Sequence, residues 1–386
     1  MLIILMLWAG WLTFDHDTGN CCLTVTATAA LGFSDPSQSQ GIGFWYPKLT
    51  NPTLYYSSMA VGNSPSYVVD AYYGQNGNDW RILEDSLYYH IPPEFGLQEV
   101  DCLYDDHGPT SQHPSDLHCF QYSVADAAPD CDDFVIIEFT YMNKGTTAID
   151  SLYSAIFADF DILNYTDNYG KTDSFHRTAY MQPSLANENP TVGIVYLGSK
   201  PHPQLPVANL SVIDRFQHGT WNDSIMFLYM NGTYHFPQSN KQYDWSVVVS
   251  AGPFDLAPGD SQQVTFAVVG GLSNADYLKN CQHAIEQYDT MWPGVSEKPE
   301  MERSRFQIHP NPSEGRVRLI FNTMVSSPAA IVLYRSDGGI VFKKVFPIEN
   351  RKIDLHLPDI PSGIYFLRIT GRGLNRTGKI VILKNQ

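Results

Sequence analysis

The chain has 386 residues, 43% of them hydrophobic and 13% aromatic, with six cysteines. That is enough apolar material for two or three cores, and it excludes a disordered chain and a disulfide scaffold. The net charge of −16 is divided unevenly: from Arg303 onward 14 Lys and Arg meet 5 Asp and Glu, against 10 and 35 before it. Two separate bodies are implied, and the acidic one repels nucleic acid and anionic membrane.

In chain order, residues 1–13 are apolar and the first basic side chain is Lys48. A secretory signal needs a positive start and the run is too short to span a membrane, so it reads as a degenerate signal or a truncated start. Residues 14–291 read as a large antiparallel β-sandwich body of one or two subdomains. Leu23 to Ala29, Tyr67 to Tyr73, Phe134 to Met142, Leu152 to Ile162, Val192 to Leu197, Ile225 to Met230, Trp245 to Ser250 and Val264 to Val269 are β-branched or aromatic runs bounded by turn residues. Phe134, Ile136 and Glu138 alternate with Val135, Ile137 and Phe139, which predicts a sheet with two unlike faces. The turn Ala257-Pro258-Gly259-Asp260 predicts a hairpin between the last two runs.

One helix is predicted near 273–291. Ser273 can cap it, Asp276 follows three residues on, and Leu278, Cys281, Ile285 and Tyr288 form an apolar stripe. The Pro-, Glu- and Arg-rich stretch 292–305 reads as a linker. Residues 306–386 then give short Val- and Ile-rich runs between Gly and Pro signals, the pattern of a small sandwich with an immunoglobulin-like look.

The tail carries a series of landmarks: His309-Pro310-Asn311-Pro312-Ser313-Glu314-Gly315, then Ile331 to Tyr334 running into Gly338-Gly339, then Pro361-Ser362-Gly363-Ile364-Tyr365-Phe366, then Lys379 to Lys384. In this order they resemble the C-terminal sorting domain that Bacteroidetes-type bacteria attach to cargo of the type IX (Por) secretion system. The resemblance implies export, with Pro310, Asn311, Pro312, Gly315, Gly363, Tyr365 and Lys379 as the sorting signal, the secretion machinery as partner, and a secreted or outer-surface location. Residues 14 to 290 resemble more loosely a β-rich module found beside subtilisin-like peptidase domains in such proteins, on phrases such as Phe14-Asp15-His16-Asp17-Thr18-Gly19-Asn20 and Tyr243-Asp244-Trp245-Ser246. That likeness brings no catalytic residues.

The sharpest polar cluster is Asp159, Asp161, Asp167, Asn168 and Asp173. Asp159 and Asp161 are two apart on a predicted strand and share a face, and the polar loop after them can return further oxygens, which suits Ca²⁺. The same pair can be read as glycosidase carboxylates. Cys102, His107, His113, His118 and Cys119 form a second cluster whose spacing fits no zinc pattern and reads better as a loop closed by a disulfide, with Cys102, Cys119 and Cys131 the candidates. Paired aromatics such as Phe44-Trp45-Tyr46, Tyr55-Tyr56, Tyr72-Tyr73 and Tyr88-Tyr89 offer either core or anchors for a glycan or protein ligand. The chain lacks the serine-hydrolase elbow, the zinc-protease helix motif, the phosphate loop and the dinucleotide fingerprint. The reading is a secreted, non-catalytic accessory or interaction module. The alternatives are a C-terminal fragment of a subtilisin-like peptidase or a glycan-active enzyme.

Overall fold

The computed structural model describes residues 12–74, 77–83, 87–91, 93–201, 204–214, 216–218, 221–291, 306–321, 328–335, 339–347, 351–357, 360–371 and 374–384. The linker at 292–305 and nearly all of the apolar segment 1–13 lie outside those residues. The chain divides into two compact units, Met1–Val295 and Ser296–Gln386.

The first unit is built on two nine-stranded sheets. One runs through strands Thr13–His16, Cys22–Thr26, Ala30–Leu31, Tyr56–Ser64, Ile149–Asp159, Ser246–Leu256 and Val207–Ile213. The other runs through Tyr169–Asp173, Thr178–Gln182, Thr191–Lys200, Ser261–Gly271, Phe134–Asn143, Leu117–Ala125, Gln98–Asp105 and Arg81–Ile82. All their pairings are antiparallel among the described residues. The two unlike faces predicted for Phe134–Asn143 are present. Val135, Ile137, Phe139 and Tyr141 enter the main core shared by both sheets, while Phe134 and Ile136 enter a second core on the outer side. Polar ties cross between the sheets: His16 Nε2 lies 2.8 Å from Ser123 Oγ, and the Tyr141 and Ser154 hydroxyls are 2.6 Å apart.

The outer core is covered by a helix, Asn274–Met291, called α2 below. Asp276 N–H donates to Ser273 Oγ at 3.2 Å, as the cap predicts, and the Asp276 carboxylate reaches back to Leu272 N–H at 2.8 Å. The buried stripe is Tyr277, Cys281, Ala284, Tyr288 and Met291, centred beside the predicted one. Leu278 and Ile285 pack at its margin.

Two local expectations are overturned. The run Ile225 to Met230 is helical, within α1 (Asp223–Met230). An unbroken apolar run does not by itself distinguish strand from helix, and here Asn222 decides by accepting the Ile225 N–H at 3.1 Å. The turn at Ala257 to Asp260 is made, with Asp260 N–H donating to Ala257 C=O at 2.9 Å, but it joins no hairpin. Ser246–Leu256 pairs within one sheet and Ser261–Gly271 within the other, so this turn carries the chain across the sandwich.

Most of the paired aromatics are core. Phe44, Tyr46, Tyr56, Tyr73 and Tyr88 are buried, while Tyr55 and Tyr89 are exposed. The expected disulfide is also absent. All six cysteines are free thiols; Cys102 and Cys119 stand on neighbouring strands opposite Gln121 and Tyr104, and Cys131 packs with the outer core.

The second unit is a small β-sandwich. A three-stranded sheet (Phe306–His309, Arg316–Phe321, Lys352–His356) faces a four-stranded one (Ile340–Phe346, Ala329–Tyr334, Gly363–Gly371, Leu374–Ile382). Val317, Leu319, Ile353 and Leu355 from one meet Ile331, Leu333, Leu367 and Ile380 from the other. Alternate residues on Arg316–Phe321 and Lys352–His356 are exposed, as one-sided sheets require.

Candidate functional site

The antiparallel register builds an acidic site in the first unit. Asp159 ends its strand opposite Ser246, the first residue of the neighbouring strand, and accepts the Ser246 hydroxyl at 3.0 Å. Continuing that register by two places sets Asp161 across from Asp244. Carboxylate oxygens of Asp159, Asp161 and Asp244 all lie within 4.8 Å of one another, the group among the described residues whose spacing suits a metal ion. Asp159 is buried and the other two are half-buried. Burial first, then the Asp159 and Asp244 charges, push the Asp161 carboxyl up to about 7.

A Ca²⁺ ion takes oxygens at roughly 2.3–2.6 Å, so three oxygens this close can share one ion. The carboxyls are too close for an inverting glycosidase, whose pair stands about 6.5–9.5 Å apart, and nearer the roughly 5 Å of a retaining one.

The other residues named with them, Asp167, Asn168 and Asp173, lie outside this group of converging carboxylates. Asn168 is fully buried and its amide brackets the backbone, accepting from Ile162 N–H at 2.9 Å and donating to Ile162 C=O at 2.8 Å. Asp167 accepts from the Asn164 amide at 2.6 Å, and Asp173 accepts from the His176 N–H at 2.8 Å. The polar loop thus folds on itself. Asp244, which does converge with Asp159 and Asp161, lies 85 residues beyond Asp159; its only signal in the sequence is an acidic residue just ahead of a strand, like Asp161 just behind one.

The Cys and His cluster does not converge. Cys102 and Cys119 are buried, whereas His107 faces Asp106 and Asp116, at 3.3 Å from each. His118 stays half-exposed.

In the second unit the predicted sorting residues fix the fold around the first and last strands. The Asn311 amide donates to Lys379 C=O and accepts from Val381 N–H, both at 2.8 Å. Ser313 continues that contact, its N–H donating to Val381 C=O at 2.9 Å. Pro310 and Pro312 flank Asn311 and have no N–H to compete. Gly315 has φ +103°, and a Cβ there would lie 2.8 Å from Leu357 O. Gly363 opens its strand opposite Ile382, Tyr365 is buried with its hydroxyl donating to Pro361 C=O at 2.9 Å, and Lys379 remains exposed.

Residues 307–383 match the secretion system C-terminal sorting domain. The protein is exported. Its tail addresses the secretion machinery, and the protein is secreted or held at the outer cell surface. No curated protein sequence matches the chain. Among solved structures it is similar to a polysaccharide lyase at 12% identity and TM-score 0.29, over 86% of this chain and 40% of that one. It is also similar to a protein assigned as a kojibiose phosphorylase from human microbiome at 10% identity and TM-score 0.33, over 75% and 34%. A third is the BSP domain of a biofilm-associated protein, at 9% identity and TM-score 0.18, over 74% and 60%. The exported chain thus spans well under half of the first two structures. Among the described residues no helix is long and apolar enough to cross a membrane.

Proposed function

We propose that the first unit is a non-catalytic accessory or interaction module, delivered by the type IX route and stabilised outside the cell by Ca²⁺ held on Asp159, Asp161 and Asp244. The observation that supports this is the mutual approach of three carboxylates within 4.8 Å, with Asp159 buried and already bonded to Ser246. A cation offsets the repulsion that raises Asp161, and a bound ion would tie the ends of two central strands together. A buried Asp159 is also poorly placed to reach a sugar.

The test is a thermal melt of the full chain with Ca²⁺ and with a chelator, since binding to the native state alone raises stability. A Ca²⁺-dependent rise that disappears in Asp161→Asn with Asp244→Asn supports the module. Absence of any rise would return the carboxylates to the glycan-active reading, for which the raised Asp161 carboxyl would serve as general acid. Export is tested separately: a chain lacking residues 303–386 should stay in the periplasm, and its appearance outside the cell would refute the tail's role. The looser likeness to a module that accompanies subtilisin-like peptidases keeps a fragment of such an enzyme as the alternative, and an upstream reading frame carrying Asp, His and Ser peptidase motifs would favour it.

A further inference from the structure

The tail addresses the secretion machinery, yet its landmark residues are largely used up inside their own fold. Asn311 is held between Lys379 C=O and Val381 N–H, Gly315 turns against Leu357 O, and the buried Tyr365 donates to Pro361 C=O. A partner reads only what the folded unit leaves on its surface, and the two sheets leave different things there.

The three-stranded sheet shows an ordinary solvated face. Arg316, Arg318, Lys352, Asp354 and His356 are exposed with Ile320 half-buried among them, and Arg318 Nε donates to Asp354 Oδ1 at 2.7 Å. The four-stranded sheet differs. Its inward residues, such as Ile331, Leu333, Leu367 and Ile380, belong to the core, so the residues between them point away from it. Those outward residues are apolar too: Ile340, Val345, Ile364 and Phe366 are 58%, 59%, 52% and 49% exposed. They are set close together, with Ile340 and Phe366 on either side of Tyr334 and Val345 opposite Ala330.

Three exposed cations stand among them. Lys343 and Arg368 flank Val332, and Lys379 is opposite Phe366. None of the four strands contains Asp or Glu. Apolar side chains grouped on a water-facing sheet mark an interaction surface, and the cations choose its partner: they repel a second copy of the same face and attract carboxylates. We infer that the outer face of the four-stranded sheet is the surface on which the tail docks to the secretion machinery, and that the component it meets is a protein presenting carboxylates around an apolar centre. The motif residues from Pro310 to Gly315 build this unit and do not touch the partner. The inference rests on the tail's role in export, which deletion of residues 303–386 tests by itself.

Export of full-length variants tests the face, each checked by thermal melt and limited proteolysis for an intact second unit. Lys343→Glu with Lys379→Glu alters two exposed side chains and leaves the Lys379 carbonyl to Asn311, so it should fold normally while its share outside the cell falls by roughly tenfold or more. Lys343→Arg with Lys379→Arg should be exported as usual. Ile364→Thr with Phe366→Thr keeps strand-forming residues and should lose export like the Glu pair; if it loosens the unit, the Glu pair decides alone. Arg316→Glu with Lys352→Glu, on the three-stranded sheet, should leave export unchanged. Normal export of the Glu pair or of a folded Thr pair, lost export of the Arg pair, or an equal loss from the three-stranded face overturns the inference. So does binding to phosphatidylglycerol vesicles in preference to phosphatidylcholine that the Glu pair abolishes, which would make the partner a lipid surface, or a dimer in sedimentation that the Thr pair dissociates.

Discussion

Asn168 holds Ile162 by both ends of its peptide, accepting the Ile162 N–H at 2.9 Å and donating to the Ile162 carbonyl at 2.8 Å. The same amide donates to Asn164 C=O at 3.1 Å and Pro183 C=O at 3.3 Å. It is the internal brace of the loop that follows Asp161. Asn168→Asp removes every donor and leaves buried carbonyls facing a carboxylate, at a cost of roughly 2–4 kcal/mol. Urea unfolding should show that loss while any Ca²⁺-dependent gain persists. A variant that keeps its stability and loses the Ca²⁺ response would instead make Asn168 a ligand.

Gly315 tests the tail. A β-branched residue at φ +103°, with Leu357 O against its Cβ, is strained by roughly 1–3 kcal/mol. In Gly315→Val, limited proteolysis of the full chain should digest the second unit faster and the first unit at the usual rate, and export should fall. Unchanged digestion would mean that the motif needs no glycine conformation here.

His16 sets an acid limit on the first unit. Burial pushes its imidazole from 6.5 down to about 3, with the Asp17 charge opposing weakly. The folded state therefore refuses a proton that the unfolded chain accepts, so stability is intact above pH 6.5 and declines as pH falls toward 3. The loss is of the order of 4 kcal/mol at pH 3. Denaturant melts between pH 7 and pH 3.5 should show a steeper decline than in His16→Gln, which cannot charge. Parallel slopes would place the acid limit on other groups.

The cysteines give a direct check on the core. Burial raises the thiols of Cys21, Cys102, Cys119 and Cys281, whereas Cys131 is half-exposed. Native alkylation should modify Cys131 first. Denatured, unreduced chain should take six adducts by mass, and four would reveal a disulfide.

The sequence alone determined the class of fold, the tail and two of the three carboxylates of the acidic site. Alternation along Phe134 to Phe139, the cap at Ser273 and the landmarks from Pro310 to Lys379 are local signals, written within a few residues and legible through turn chemistry and side-chain period. Asp159 and Asp161 were legible from the same local period, which carries two places past the strand end at Asp159. Only the tertiary structure decided the rest. Asp244 joins them through the register of strands Ile149–Asp159 and Ser246–Leu256. The turn at Ala257 to Asp260 was recognised but not its destination, since a four-residue turn fixes a local reversal and not which sheet receives the next strand. Partners far apart in the chain are chosen by burial of whole sheet faces, and that free energy is a property of the packed sandwich, not of any single segment.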